Sequence, residues 1–187
     1  MNKLLPLLFI ITIILVSCDG RNRKHKTNTE VLKEHKLLDS FSEQIKYIPE
    51  AYTEVTTDTI LNNGFRVTIK TFTEMQDNVL SEFIIDTFKY KFHYRNYTGK
   101  LNVFFNKSLI LDETINKSYL NKNGDNAFWD SAIMAGVSLD EENSTKNEVH
   151  IAVLYCIPES EICKDFKIIV DKKGNKTLIE LETEPIH

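Results

Sequence analysis

Glycine and proline are scarce in this chain, at six and four among 187 residues, which excludes collagen-like and low-complexity classes. Three cysteines are too few for a disulfide-dense miniature scaffold. There is no cationic excess: the formal charge is −4, so no nucleic-acid footprint is expected. Beyond residue 16 no apolar run approaches the roughly 20 residues needed to cross a bilayer as a helix. Motifs that announce chemistry are missing as well. The chain has no Gly-x-Ser-x-Gly elbow, no His-Glu-x-x-His, no phosphate-cradling glycine loop and no Cys-x-x-Cys. Its histidines, His25, His35, His93, His150 and His187, are scattered, so a metal site or triad would have to be assembled entirely through the fold. The expectation is a protein without metal or cofactor, and not an enzyme.

What is present begins at the N-terminus. Lys3 precedes "LLPLLFIITIILV", residues 4–16, a run of signal-peptide length. Its exit, Leu15-Val16-Ser17-Cys18, resembles the bacterial lipobox. That resemblance implies cleavage after residue 17 and lipidation of Cys18, with several acyl chains anchoring the mature protein to a membrane. The segment "DGRNRKHKTNTE" after it has four basic residues and no large apolar side chain, the composition of a solvated tether. In family terms Asp19 retains some bacterial lipoproteins at the inner membrane but not others, and no acidic surface-export run follows. The expected address is the cell envelope, with the periplasmic face of the outer membrane favoured. Residues 1–17 are thus read as signal, 18–48 as lipidated cysteine, basic tether and a short helix, and 49–187 as one β-rich globular domain. With Lys3 removed, 22 basic residues face 27 acidic ones, a net charge of −5.

From residue 50 the apolar period is two. "AYTEVTTDTIL" and "FRVTIKTF" flank "NNG", "FKYKFHYR" and "KLNVFFN" flank "NYTG", and "DFKIIVD" and "KTLIELE" flank "KKGN". Gly64, Gly99 and Gly174 suit the turns of three hairpins. "DNAFWDSAIMAG" reads as a helix with Asp125 as cap and Gly136 as stop, and "TEVLKEHKLLDSFSEQI" reads as a second helix of irregular apolar spacing, Thr27 with Glu30 forming its capping-box pattern. "DNVLSEFII" is ambiguous between helix and strand, and a bulge near Asp86 would bring its parity into line with the next strand. The fold class is α+β, mainly an antiparallel β-sheet meander with one or two short helices.

Two features are candidates for function. Residues 88–95, "FKYKFHYR", alternate aromatic with basic side chains. A strand here has an aromatic face suited to a core and a row of Lys89, Lys91, His93 and Arg95 on the other face. The row is either the wet side of the strand or a candidate surface for an acidic partner. Cys156 and Cys163 end a Pro-containing loop, "YCIPESEIC", and form an even pair once Cys18 is lipidated. A structural disulfide is expected, with free buried thiols and a redox pair as the alternatives. The acids Asp140, Glu141 and Glu142 fall in a loop and lack the alternating spacing of a calcium site.

"IAVLYCIPESEICKDFKIIVDKKGNKTLIE", with its strand, Cys-x-Pro loop, second strand and Asp-Lys-Lys-Gly turn, resembles the ending of a family of Bacteroidetes envelope lipoproteins of unknown function. The resemblance implies a fold and an address, and carries no catalytic residues. The functional expectation is a membrane-anchored, non-enzymatic binding or interaction module with a protein partner, an immunity or inhibitor protein being one form of it. Alternatives are a structural or assembly component of the outer membrane, and an enzyme whose site the sequence hides.

Overall fold

The computed structural model describes residues 26–35, 43–85, 88–121, 124 and 126–181. Cys18, the signal run, the rest of the tether, and the expected features at Asp86 and Asp125 lie outside them. The chain divides into two compact units, one of residues 1–44 with 84–89, the other of residues 45–83 with 90–187.

The first unit contains helix α1 (Asn28–Glu34), shorter than the sequence suggested, since the end of the expected helical run, from Glu43, is strand. The Thr27 hydroxyl accepts from the Glu30 amide at 3.3 Å and the Glu30 carboxylate accepts from the Thr27 amide at 2.7 Å, the capping box expected from the sequence. None of its residues is buried, so the cap and the Lys26–Glu34 ion pair at 2.6 Å support the helix.

The second unit is mostly antiparallel β-sheet. Its strands are β1 (Glu43–Ile48), β2 (Glu54–Ile60), β3 (Phe65–Ile85), β4 (Phe88–Phe105), β5 (Ser108–Ile115), β6 (Ile133–Asp140), β7 (Glu148–Cys156), β8 (Cys163–Asp171) and β9 (Lys176–Leu181), the outer ends of β1, β3 and β4 belonging to the first unit. The short helices α2 (Lys117–Leu120) and α3 (Asn126–Ser131) separate two meanders. Strands β2 to β5 form the first meander, with β1 added beside β4, and β6 to β9 form the second. The meander expectation holds, but there are two sheets where the sequence suggested one, and the helical share is small. Period-two burial explains the second sheet. Val149, Ile151, Val153 and Tyr155 of β7 are at most 1% exposed, and Phe166, Ile168 and Val170 of β8 continue the same face. Phe65, Val67, Ile69, Leu101, Val103 and Ile115 of the first sheet join them in one core, closed by Leu120 and Trp129.

Two of the three expected hairpins form. In each, a backbone bond, Leu61 N–H to the Phe65 carbonyl or Asp171 N–H to the Asn175 carbonyl, closes a three-residue loop that ends on a glycine of positive φ: Gly64 at 91° between β2 and β3, and Gly174 at 82° between β8 and β9. The second is corrected. "NYTG" is not a turn, because β4 runs straight through it and Asn96, Thr98 and Gly99 are buried. The chain reverses ten residues later at Asn106 and Lys107, both with positive φ (49° and 72°), as a two-residue type I′ turn requires. The helix expected over "DNAFWDSAIMAG" is also shorter. It stops at Ser131, and Ile133 begins β6 because its side of the chain completes the sheet beside β7. "DNVLSEFII" is strand throughout, as part of β3.

Cys156 and Cys163 face each other across β7 and β8 with an S–S separation of 2.11 Å and a Cα–Cα separation of 4.1 Å. The next pair outward is hydrogen-bonded, Ile157 N–H donating to the Ile162 carbonyl at 2.9 Å, which makes the cysteines a non-hydrogen-bonded pair with closely spaced side chains. The disulfide closes the loop that carries Glu159, whose carboxylate accepts from the Tyr94 hydroxyl of β4 at 2.5 Å. Burial first, and that carboxylate second, push the Tyr94 phenol up to about 12. Replacing both cysteines by serine is expected to lower unfolding free energy by about 2–3 kcal/mol on the chain-entropy account. Denaturant unfolding of the oxidised wild type against the double variant measures this, and equal midpoints would show that the bond contributes nothing.

Candidate functional site

Lys89, Lys91, His93 and Arg95 of β4 do not form a bare row. Arg95 donates from Nε to the Pro49 carbonyl at 3.1 Å and from a terminal nitrogen to the Met75 carbonyl, and its guanidinium lies 4.7 Å from the centre of the Tyr47 ring. His93 stacks on the same ring, with 4.6 Å between centres, and its Nδ1 is 2.8 Å from Asn78 Oδ1. Lys91 is 3.9 Å from Glu82, and Lys89 belongs to the first unit. The opposite face carries the aromatics as a graded series, from Phe88, 41% exposed, to Tyr94, 7% exposed. Tyr90 and Phe92 pack on Phe83 at 5.3 and 5.0 Å. Arg95 and His93 therefore brace β1 and the segment after it. Arg95→Glu is expected to destabilise the fold by about 1–3 kcal/mol, because two carbonyls lose their charged donor and a carboxylate replaces it. Thermal unfolding decides this. An unchanged midpoint would return Arg95 to the free surface.

Of the acids at 140–142, Asp140 ends β6 and is likewise structural, while Glu141 and Glu142 are exposed. Asp140 accepts from the Asn143 amide and side chain at 2.8–3.2 Å and pairs with Lys167 at 3.3 Å. Those bonds, Asn143 first, hold its carboxyl below the usual range.

A different place has the attributes of a site. On β4 the inward parity changes at Thr98 and Gly99, two successive buried residues, after which Leu101 and Val103 fill the core. The last two inward positions before that shift are polar, Asn96 3% and Thr98 7% exposed. They open on a hollow of about 380 Å³ whose walls include Glu74 and Asp77 of β3 and Lys117 and Ser118 of α2. A second hollow of about 470 Å³ shares Asp77, Lys117 and Ser118 with the first and adds Trp129 and Asp130 from α3. The two together form one polar cleft beside the end of the core.

Local structure fixes its walls. Asn116 caps α2, its side-chain oxygen accepting from the Tyr119 amide at 3.0 Å and from the Ser118 hydroxyl at 2.7 Å. The cap holds Lys117 and Ser118 at the cleft. Three carboxylates, Glu74, Asp77 and Asp130, share these walls with Lys117. Burial pushes the Lys117 amine down, and the charges of Asp77 and Asp130 partly oppose that. On the inner side, Tyr155 is 1% exposed with an unpartnered hydroxyl, its phenol raised by burial and, less, by Asp77.

The decisive group is Asn96. Neither its amide nitrogen nor its amide oxygen has a hydrogen-bond partner among the described residues. A buried amide left unpaired costs about 1–3 kcal/mol for each desolvated group, and both Asn96 atoms expose under 1 Å², so the amide lies beneath the surface of the hollow while the residue forms part of its wall. The Asn121 side-chain oxygen, on the rim of the second hollow, is also buried and unpartnered. Among the described residues, no three His, Cys, Asp or Glu side chains converge on a point that would hold a metal ion. The arrangement offers neutral and charged hydrogen-bonding groups to a small polar ligand.

Reading the sequence as a turn at "NYTG" hid this site. One signal could have found it: Asn96 and Thr98 continue the even-numbered inward row of residues 88–94. Comparison with protein-family models finds no match, and comparison with curated proteins finds none either.

Proposed function

We propose that this chain is a lipid-anchored, non-enzymatic binding module of the bacterial cell envelope, held through Cys18 and receiving part of its partner in the cleft of the second unit. The observation that carries the reading is the open polar hollow walled by Glu74, Asp77, Lys117 and Ser118, with Asn96, 3% exposed, in the same wall. Groups arranged to bind, on a sheet rigidified by a shared core, are what a recognition module requires. The lipobox-like segment and basic tether support the address, the periplasmic face of the outer membrane.

Two experiments test the two halves. Cys18→Ser is expected to abolish fatty-acid labelling and release the protein from membranes. Labelling that persists would place the anchor elsewhere. For the cleft, a photo-reactive side chain at the exposed position 118, in the anchored protein in intact cells, is expected to give an adduct that disappears in Asn96→Leu. An incoming toxin in the adduct would specify an immunity role. A stable envelope complex attached to the chain irrespective of Asn96 would instead favour the structural reading.

A further inference from the structure

We infer that the outer edge of β2 pairs antiparallel with β2 of a second copy of this chain, Thr57 facing Thr57 across a twofold axis, so that the first sheets of two protomers continue into one. No residue of β2 other than those of this edge is needed, and none lines the cleft, so the inference goes beyond the reading above.

β2 ends the first sheet, with β3 on one side and, among the described residues, no strand on the other. The Leu61 amide donates to the Phe65 carbonyl at 2.8 Å, and the Thr73 amide to the Thr53 carbonyl at 3.0 Å. In the unbroken register between these bonds, Val55, Thr57 and Thr59 turn their backbone groups toward β3, whereas Glu54, Thr56, Asp58 and Ile60 turn theirs outward. Such a row is a template for another strand, and edges are commonly blunted by a lysine, a proline or a bulge. Other edge strands of this chain carry one of these. β1 has Lys46, β9 has Lys176, and the pairings of β5 and β6 each contain a register shift. Over its seven residues β2 has none. Its acids do not guard the edge, because Asp58 is tied back to Arg66 at 2.5 Å and Glu54 to Lys70 at 2.9 Å, both on β3.

The order of side chains selects the occupant. An antiparallel copy centred on Thr56 would set Glu54 opposite Asp58, and one centred on Asp58 would set that acid opposite itself, and like charges directly opposite oppose pairing. Centred on Thr57, all seven residues overlap and no acid faces an acid: Glu54 meets Ile60, Val55 meets Thr59, and Thr56 meets Asp58. The outward backbone groups of Glu54, Thr56, Asp58 and Ile60 then bond to their counterparts, which makes Thr57 a non-hydrogen-bonded pair with itself, the kind with closely spaced side chains. Val55 shares a face with Ile69, which is 3% exposed, yet is itself 65% exposed, and Ile60 on the other face is 76% exposed. Each gains a cross-strand neighbour in the pair. A twofold contact of this kind is self-complementary and closes at the dimer.

The test is cysteine cross-linking of the full chain in intact cells, followed by non-reducing electrophoresis. After mild oxidation with copper phenanthroline, Thr57→Cys is expected to give a dimer that thiol reductant dissolves. Val55→Cys, more exposed but four residues from its own copy's nearest counterpart position in this register, should give little, and the wild type none. The second measurement is sedimentation equilibrium of the purified protein in density-matched detergent. There, Thr57→Lys is expected to weaken association about tenfold or more, since it sets two lysines face to face at the closest pair. Thr56→Pro removes an outward N–H that takes no part in the bonding to β3, so it should also give monomer with the fold kept, as circular dichroism reads. If Thr56→Pro does not fold, Thr57→Lys carries the test alone. Equal cross-linking at positions 55 and 57 overturns the proposal, as does a monomeric wild type or association that Thr57→Lys leaves unchanged. A Thr57→Cys adduct with a different protein in place of the dimer would also overturn it, by giving the edge to another chain's extended segment.

Discussion

Replacing Trp129 by alanine is expected to lower the unfolding free energy of the second unit by about 3–5 kcal/mol, the range for removing a buried large aromatic. The ring is 5% exposed and lies 5.0 Å from Tyr155, 5.2 Å from Phe128 and 5.7 Å from Phe166, centre to centre. It thus joins α3 to the inner face of β7 and β8. Against a total stability of about 5–15 kcal/mol for a domain, such a loss leaves a marginal fold. Because this is the chain's only tryptophan, unfolding has to be followed by circular dichroism. Trp129→Phe should recover a large part of the loss by keeping an aromatic in the space. A cost below about 1 kcal/mol for the alanine variant would mean that α3 packs independently of the second sheet. The ring also walls the second hollow, so the alanine variant should disturb any ligand bound there, whereas Asn96→Leu should not disturb the core.

Legibility of the fold followed the range of the interactions that decide each element. The turns at Gly64 and Gly174 are local: a three-residue loop ending in positive φ needs glycine at that place, and the sequence has it there. The capping box at Thr27 is local in the same sense. The alternation of "EVHIAVLYC" and "CKDFKIIVD" shows in one strand what the whole sheet does, and the cysteine pair falls where the two runs meet. What misled were places where distant packing decided. "NYTG" has the composition of a turn, but Asn96 and Thr98 are inward strand positions serving the cleft, and Gly99 lies against Val137 of the other sheet, with 3.4 Å between a virtual Cβ and its Cγ2. The true reversal at Asn106 and Lys107 lacks glycine and so gave little signal. Arg95 and His93 read as a solvent-facing row because nothing in the sequence announces that Tyr47 lies over them. Division into two sheets was hidden for the same reason, since alternation marks a buried face without saying what covers it.

Gly174→Ala is expected to cost about 3 kcal/mol or more, well above the cost of the same change at Gly64. Both glycines have positive φ, where a Cβ costs about 1–2 kcal/mol. They differ in what the new methyl would meet. At Gly64 the nearest atom is Asn106 Oδ1 at 3.0 Å, the end of a side chain that can turn away. At Gly174 it is the Ile110 carbonyl oxygen at 2.2 Å, with the carbonyl carbon at 3.2 Å. That oxygen belongs to the backbone of β5 in the first sheet and can move only with its strand. The β8–β9 turn thus rests directly on the other sheet, and Lys176, two residues on, pairs with Glu113 of β5 and lies 5.0 Å from the centre of the Tyr119 ring. Overpacking of about 1–3 kcal/mol adds to the conformational strain, and the displaced turn carries the Lys176–Glu113 pair with it. Comparing the two alanine variants by denaturant unfolding isolates the contact from the strain, because the strain is common to both. Equal losses at the two positions would show that the turn does not bear on β5.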